Sequence, residues 1–293
     1  MTTDKNFNNK SARAKTITAK VLLYVVLVVA ALILLFPFYV MLTTSFKTFA
    51  EATGEFTFWP KAWTGAAYQE ILVTSPLGIS FPRAFLNTLI IAVPTTLIGV
   101  FVSCMSAFMF AKYDFIGKNW GFSLLLFTMM IPGSITMMPQ FLIFAQMGWS
   151  NTWLPLMIPG MFGNAMCVFF MRQYIRGIPT DLVEAAQLDG MGKFRTFVTI
   201  IMPLSLPALI SQAILMFIGS YNDYLGPLLY LHKRDLYTLQ LVLAQFQGMS
   251  GTAGGKNVPN IMAGSVLSMA PLLIIYIFTQ KFFISGIAVS GLK

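Results

Sequence analysis

Among the stretches of this chain without Asp, Glu, Lys or Arg, five read as membrane spans. They lie between Lys20 and Lys47, Arg83 and Lys112, Lys118 and Arg172, Arg195 and Asp223, and Lys256 and Lys281. Each matches or exceeds the roughly 20 apolar residues that cross a hydrocarbon core about 30 Å thick. The third is long enough for two crossings, with Gln146-Met147-Gly148-Trp149-Ser150-Asn151 as its polar hinge. The runs are continuous rather than alternating, so helices and not barrel strands must satisfy the backbone. The expected fold class is an all-α integral membrane protein with six transmembrane helices. They are placed at about 20–45, 84–111, 120–145, 152–171, 203–225 and 260–281. The composition agrees: only 10% of residues are charged, against about a quarter in soluble domains.

The net charge of +9 raises the question of nucleic acid, and its distribution answers it. With six crossings both termini share a side. That side collects Lys5, Lys10, Arg13, Lys15, Lys20, Lys112, Lys118, Arg172, Arg176, Lys193, Arg195, Lys281 and Lys293, 13 of the 19 basic residues. Basic residues concentrate in cytoplasmic loops, which places both termini in the cytoplasm. The positive excess is a topology signal, and no nucleic-acid partner is expected.

Little in the chain suggests chemistry of its own. Cys104 and Cys167 sit inside apolar runs, without the spacing of a metal site or disulfide framework. The glycine-rich stretch 248–257 has Ser250 and Asn257 where a phosphate-binding loop needs Gly and Ser or Thr, and it falls on the outer side. An ion-coupled secondary transporter of a small polar solute is the alternative class. Such proteins keep ionisable residues at membrane depth, and none lies inside the expected spans, Asp223 standing at the outer edge of the fifth. Pro94, Pro132, Pro139, Pro155, Pro159, Pro207 and Pro271 interrupt the spans and favour kinks.

Between the fourth and fifth spans, 172–202 reads as structure rather than tether. Asp181 can cap a helix, with Glu184 reaching back as its capping-box partner. Leu182, Ala185, Ala186 and Asp189 then fall at i, i+3, i+4 and i+7, on one face. Gly190 and Gly192 stop that helix, and a second runs from Lys193 to Met202, ahead of Pro203. Spacing alone fits two occupants of the face: lipid headgroups, or a protein drawn close by the two alanines.

The same residues carry a resemblance. Glu184-Ala185-Ala186, three residues, Gly190, nine residues and Ile200-Ile201-Met202-Pro203 resemble the signature loop of bacterial ABC importer permeases that work with a binding protein. Met202 stands where that family has Leu. Asn87-Thr88, Tyr221 through Leu228, and the C-terminal stretches Gln280 to Gly286 and Gly291 to Lys293 are similar to its carbohydrate branch. Tyr221 replaces a Trp usual there.

The resemblance implies the type I importer permease fold. Residues 1–19 would be a cytoplasmic tail, 20–82 the first helix and an outer loop, 83–283 the core domain with coupling loop 172–202, and 284–293 a cytoplasmic tail. It implies a bacterial cytoplasmic membrane and no catalytic residue or cofactor on this chain. ATP and magnesium would sit on a separate ABC ATPase dimer. The other partners would be a second, related permease subunit and an extracytoplasmic solute-binding protein delivering a sugar or oligosaccharide. Leu182, Ala185 and Ala186 would pack in the ATPase cleft, with Glu184 and Asp189 making polar contacts. Gly190 would supply the turn, and Ile200 and Pro203 would fix the helix to the bundle. The outer loop 226–258 would face the binding protein. Its Gly251, Gly254 and Gly255 would either probe the sugar site or form a flexible surface. No spacing code among the aromatic and polar residues singles out substrate ligands.

Overall fold

The first apolar run folds as one long helix, α1 (Asp4–Ser45), whose spanning part Ile17–Ser45 is exposed along nearly its whole length. The computed structural model describes residues 4–74, 78–252 and 258–290, and the side chains of 17–73, 78–247 and 258–280. Every regular element among the described residues is helical. Two short turns, α2 (Phe49–Ala52) and α3 (Ala66–Gln69), follow α1, and α3 runs on as a π-helical turn, Glu70–Thr74. The second span is α4 (Phe81–Lys112). Ser80 caps it by accepting from the Arg83 amide at 3.4 Å, and Pro82 sits in the first turn, where its missing N–H leaves no gap.

The third span is broken. α5 (Lys118–Met129) and α6 (Gly133–Gln146) meet at 98° around Pro132, whose ψ of 130° lies outside the helical region. The fourth combines α7 (Leu154–Met161) and α8 (Ala165–Arg176). Asn164 restarts the helix there by accepting from the Cys167 amide at 3.1 Å. The short helices α9 (Asp181–Leu188) and α10 (Lys193–Thr196) come next, then a π-helical turn, Phe197–Ile201, and α11 (Met202–Leu204). An 84° bend at Ser205 leads into α12 (Leu206–Tyr221). The chain closes with α13 (Leu225–Tyr230), a 3-10 turn at Arg234–Leu236, α14 (Leu239–Thr252) and α15 (Val258–Ser290).

Among the described residues four helices are long and apolar enough to cross a membrane, or up to six crossings if each bent pair is one span. Three expectations shift. The fifth crossing is the bent pair Lys193–Leu204 and Leu206–Tyr221, so it starts before Pro203 and carries its corner at Ser205. The stretch 226–258 is largely helical rather than a loop. Pro155 and Pro207 lie in the first turn of α7 and α12, and Pro132 caps α6, so these three interrupt their spans by starting a new helix, Pro132 and Pro207 at the two bends.

Packing gathers into two apolar clusters that share α4. One joins Val100, Cys104, Ala107 and Phe108 to Cys167, Val168, Met171 and Ile175 of α8, and to Val183, Phe197, Ile201 and Leu209. The other joins Phe81 and Ala84 to Ile71, Tyr221, Ala263 and the α14 residues Leu239, Val242, Leu243 and Phe246. Tyr221 is fully buried and donates its hydroxyl to the Ser268 carbonyl at 3.0 Å, tying α12 to α15. α4 and α7 touch backbone to backbone. A Cβ on Gly99 would overlap the Gly160 carbonyl oxygen, and one on Gly160 would lie 2.5 Å from Thr95 Cγ2.

Candidate coupling site

α9 forms without the expected capping box. Asp181 is its first helical residue rather than its cap. The cap is Thr180, whose carbonyl accepts from the Val183 and Glu184 amides at 2.8 and 3.1 Å. The Thr180 hydroxyl makes no capping bond; Lys112 Nζ, at the end of α4, reaches it at 3.3 Å. The same ammonium donates to the Ile178 carbonyl, so α4 is stitched directly to the entry of α9. Asp181 and Glu184 lie in the first turn, where negative charge opposes the positive end of the helix dipole.

The far end matches expectation. Gly190 has φ +77°, its amide bonds the Gln187 carbonyl at 3.0 Å, and the Met191 amide bonds the Ala186 carbonyl at 2.9 Å. This is a Schellman closure built on a left-handed residue. Open space surrounds the position where a Gly190 Cβ would stand, so any substitution penalty comes from the backbone alone. Gly190→Val is expected to destabilise this turn by about 1–2 kcal/mol and lower uptake. Gly190→Asn, whose side chain tolerates that conformation, should largely retain both. Thermal unfolding of the purified complex beside an uptake assay checks the pair.

The orientation of α9 differs from the expected face. At about 100° per residue, Val183 and Ala186 point inward and both are 2% exposed. Ala186 is therefore built into this chain's own core rather than offered outward. Leu182, Glu184, Ala185, Asp189 and Gly190 are exposed. The centre of the outward face is a residue the sequence reading omits: Leu188, 90% exposed beside Ala185, Asp181 and Glu184. Its signal was available, since an apolar residue on the polar side of a short helix has no reason to stay in water.

The anchor is also displaced by one residue. Ile200 is half-buried and Pro203 is exposed, whereas Thr196, Phe197, Ile201 and Ser205 are buried. Phe197 stacks on Phe108 of α4 with ring centroids 5.7 Å apart and meets Phe101 edge-on at 5.6 Å. The π-helical turn at 197–201 rotates these side chains relative to a regular helix, which moves burial from Ile200 to Ile201. Tyr113 completes the joint. Its hydroxyl accepts from Gln187 Nε2 at 3.3 Å, and Lys193 Nζ lies 4.7 Å from its ring centre. Met105, Met109, Phe110, Lys193 and Phe194 line an open cavity of about 400 Å³ beside it.

At the opposite end, polar side chains clamp the segment 231–239. Asn151 Oδ1 accepts from the His232 and Lys233 amides, and Trp153 Nε1 donates to the Leu236 carbonyl. Asn87 Nδ2 donates to the carbonyls of Asp235 and Tyr237 at 2.8 and 2.9 Å, and Thr88 Oγ1 accepts from the Leu239 amide. Asn87 is thus a buried clamp. Gly251 lies in the last turn of α14, while Gly254 and Gly255 lie outside the described residues. No group of His, Cys, Asp or Glu among the described residues could hold a metal ion.

Comparison with known proteins adds a context for this geometry. Residues 99–289 match the family described as binding-protein-dependent transport system inner membrane component. The arabinooligosaccharides transport system permease protein AraQ of Halalkalibacterium halodurans is 36% identical over 209 residues, 71% of this chain and 73% of that protein. The trehalose/maltose transport system permease protein MalG of Thermococcus litoralis is 32% identical over 285 residues, 94% of this chain and 97% of that one. Among solved structures, a bacterial ABC transporter involved in the import of the acidic polysaccharide alginate has a similar fold. Its TM-score is 0.80 at 24% identity, covering 92% of this chain and 98% of that chain.

Proposed function

Because the chain belongs to the family of binding-protein-dependent transport system inner membrane components, we propose that it is one membrane subunit of an ATP-driven importer for a sugar or oligosaccharide. The cargo arrives on an extracytoplasmic binding protein. An ATPase dimer, carrying ATP and magnesium, docks on the cytoplasmic side of a bacterial cytoplasmic membrane, and a related permease subunit completes the pathway. Both termini of this chain lie on the ATPase side. The carbohydrate names of the relatives support the cargo class.

One observation carries the reading: α9 is built into the bundle on one side and open on the other. Val183 and Ala186 hold it inward, while Leu182, Ala185 and Leu188 are left for a partner. Pressure on that outward face passes through Val183, Phe197 and Phe108 into α4, because all three belong to one packed cluster. Closure of the ATPase dimer then moves the bundle as a rigid body between two arrangements. The chain's part is mechanical.

Reconstituted vesicles test this. Uptake of a binding-protein-delivered oligosaccharide should require internal ATP, and a cysteine at position 185 should crosslink to the ATPase cleft. Uptake driven by an ion gradient without ATP, or by this chain alone, would overturn the reading.

A further inference from the structure

The segment 46–64 after α1 doubles back along that helix. The Tyr39 hydroxyl donates to the Phe58 carbonyl at 2.7 Å, and Trp59 meets the Tyr39 ring edge-on with centroids 5.7 Å apart. Tyr39 stands six residues before the end of α1, about 9 Å along the axis at 1.5 Å per residue. It belongs to the run without charges that ends at Lys47. The segment therefore returns to the depth of the last apolar turns of a spanning helix.

Several of its polar groups are paired within the segment, while the Glu55 and Lys61 side chains are exposed. Lys47 is only 5% exposed and donates to the Thr57 carbonyl at 2.6 Å. The Glu51 carboxylate accepts from the Lys61 amide at 2.7 Å and from the Thr57 hydroxyl at 3.1 Å. The Lys61 amide is the main reason its pKa lies below the usual carboxylate value, so it stays ionised and keeps the turn closed. The Thr64 amide bonds the Phe46 carbonyl at 2.9 Å. The large rings are turned the other way: Phe56, Phe58, Trp59 and Trp63 are each 60–62% exposed. Trp63 touches Phe46 and Trp59, and Phe56 touches Phe58, two groups of rings that follow one another at the adjacent residues Phe58 and Trp59.

We propose that this aromatic surface is a lipid anchor, seated in the bilayer interface of the leaflet at the Ser45 end of α1. Amphipathic rings favour that level, where apolar faces meet acyl chains and indole N–H groups meet headgroups. Lipid is the occupant because the segment is held at Tyr39 of the spanning helix, beside Phe36, Phe38 and Leu42, which are themselves about half exposed. Large exposed apolar rings gathered in one segment mark a contact with a partner or a membrane. The anchor holds the end of α1 against the membrane plane while the rest of the bundle moves. It requires only that α1 crosses a bilayer, and so stands apart from the transport reading.

Photo-crosslinking of the assembled transporter in phosphatidylcholine–phosphatidylglycerol nanodiscs tests it. Phe58 and, separately, Trp63 are replaced by p-benzoylphenylalanine, with Phe36 of α1 as the reference position, and adducts are read by mass. Phospholipid adducts at 58 and 63 comparable to those at 36 are expected. Adducts to the binding protein or to the second permease subunit overturn the proposal. A second measurement uses a variant in which Trp120, Trp149 and Trp153 are Phe, leaving Trp59 and Trp63. Lipids brominated near the glycerol should quench most of its emission, and emission unchanged by them overturns the anchor.

Discussion

Leu188→Asp is expected to abolish ATP-driven uptake while leaving the permease folded. The Leu188 side chain is 90% exposed, so its replacement removes no packing within this chain. In the proposed complex it faces the ATPase, and a carboxylate there must be buried without a partner. Truncating or charging a central anchor of an interface costs at least about 2 kcal/mol, roughly thirty-fold in affinity. Affinity co-purification should recover far less ATPase with the variant, at an unchanged thermal midpoint. Leu188→Ala should fall between. If Leu188→Asp retained normal ATPase recovery and uptake, the outward face of α9 would not be the docking face.

Phe197→Ala should show the opposite signature. Phe197 is 1% exposed and packed on Phe101 and Phe108, at the point where the α9–α11 segment joins α4. Removing a buried aromatic ring leaves a cavity that costs about 3–5 kcal/mol. The ATPase should still dock, since the outward side chains of α9 are untouched. The thermal midpoint should drop, and each ATP hydrolysed should move less substrate. Phe197→Leu, which fills most of the volume, should recover much of both. A drop in ATPase docking with unchanged stability would place Phe197 at the interface instead.

The contrast between these variants marks what the chain's pattern reveals and what it hides. Gaps between charges locate the spans because burial of charge in hydrocarbon is so unfavourable that few alternatives survive. The left-handed turn at Gly190 is legible for a similar reason, since its positive φ suits glycine best. The rotation of α9 is not legible. A 3.6-residue period identifies a helix with an inner side, but the choice between Ala186 and Leu188 as the outward residue depends on where α4 stands. The missing capping box has the same origin: Lys112, 68 positions away, reaches the Thr180 hydroxyl. α14 is different. Leu239, Val242, Leu243 and Phe246 sit at i, i+3, i+4 and i+7, a helical signature in a stretch that its glycines and outer position mark as loop. All four are buried.

The meeting of α4 with α7 at Gly99 and Gly160 has a mechanical consequence. Where main chain abuts main chain, no rotamer can swing aside to absorb a displacement, so the two helices behave there as a welded joint. Flexing is left to the places where a helix is interrupted: the corner at Pro132 and the elbow at Ser205.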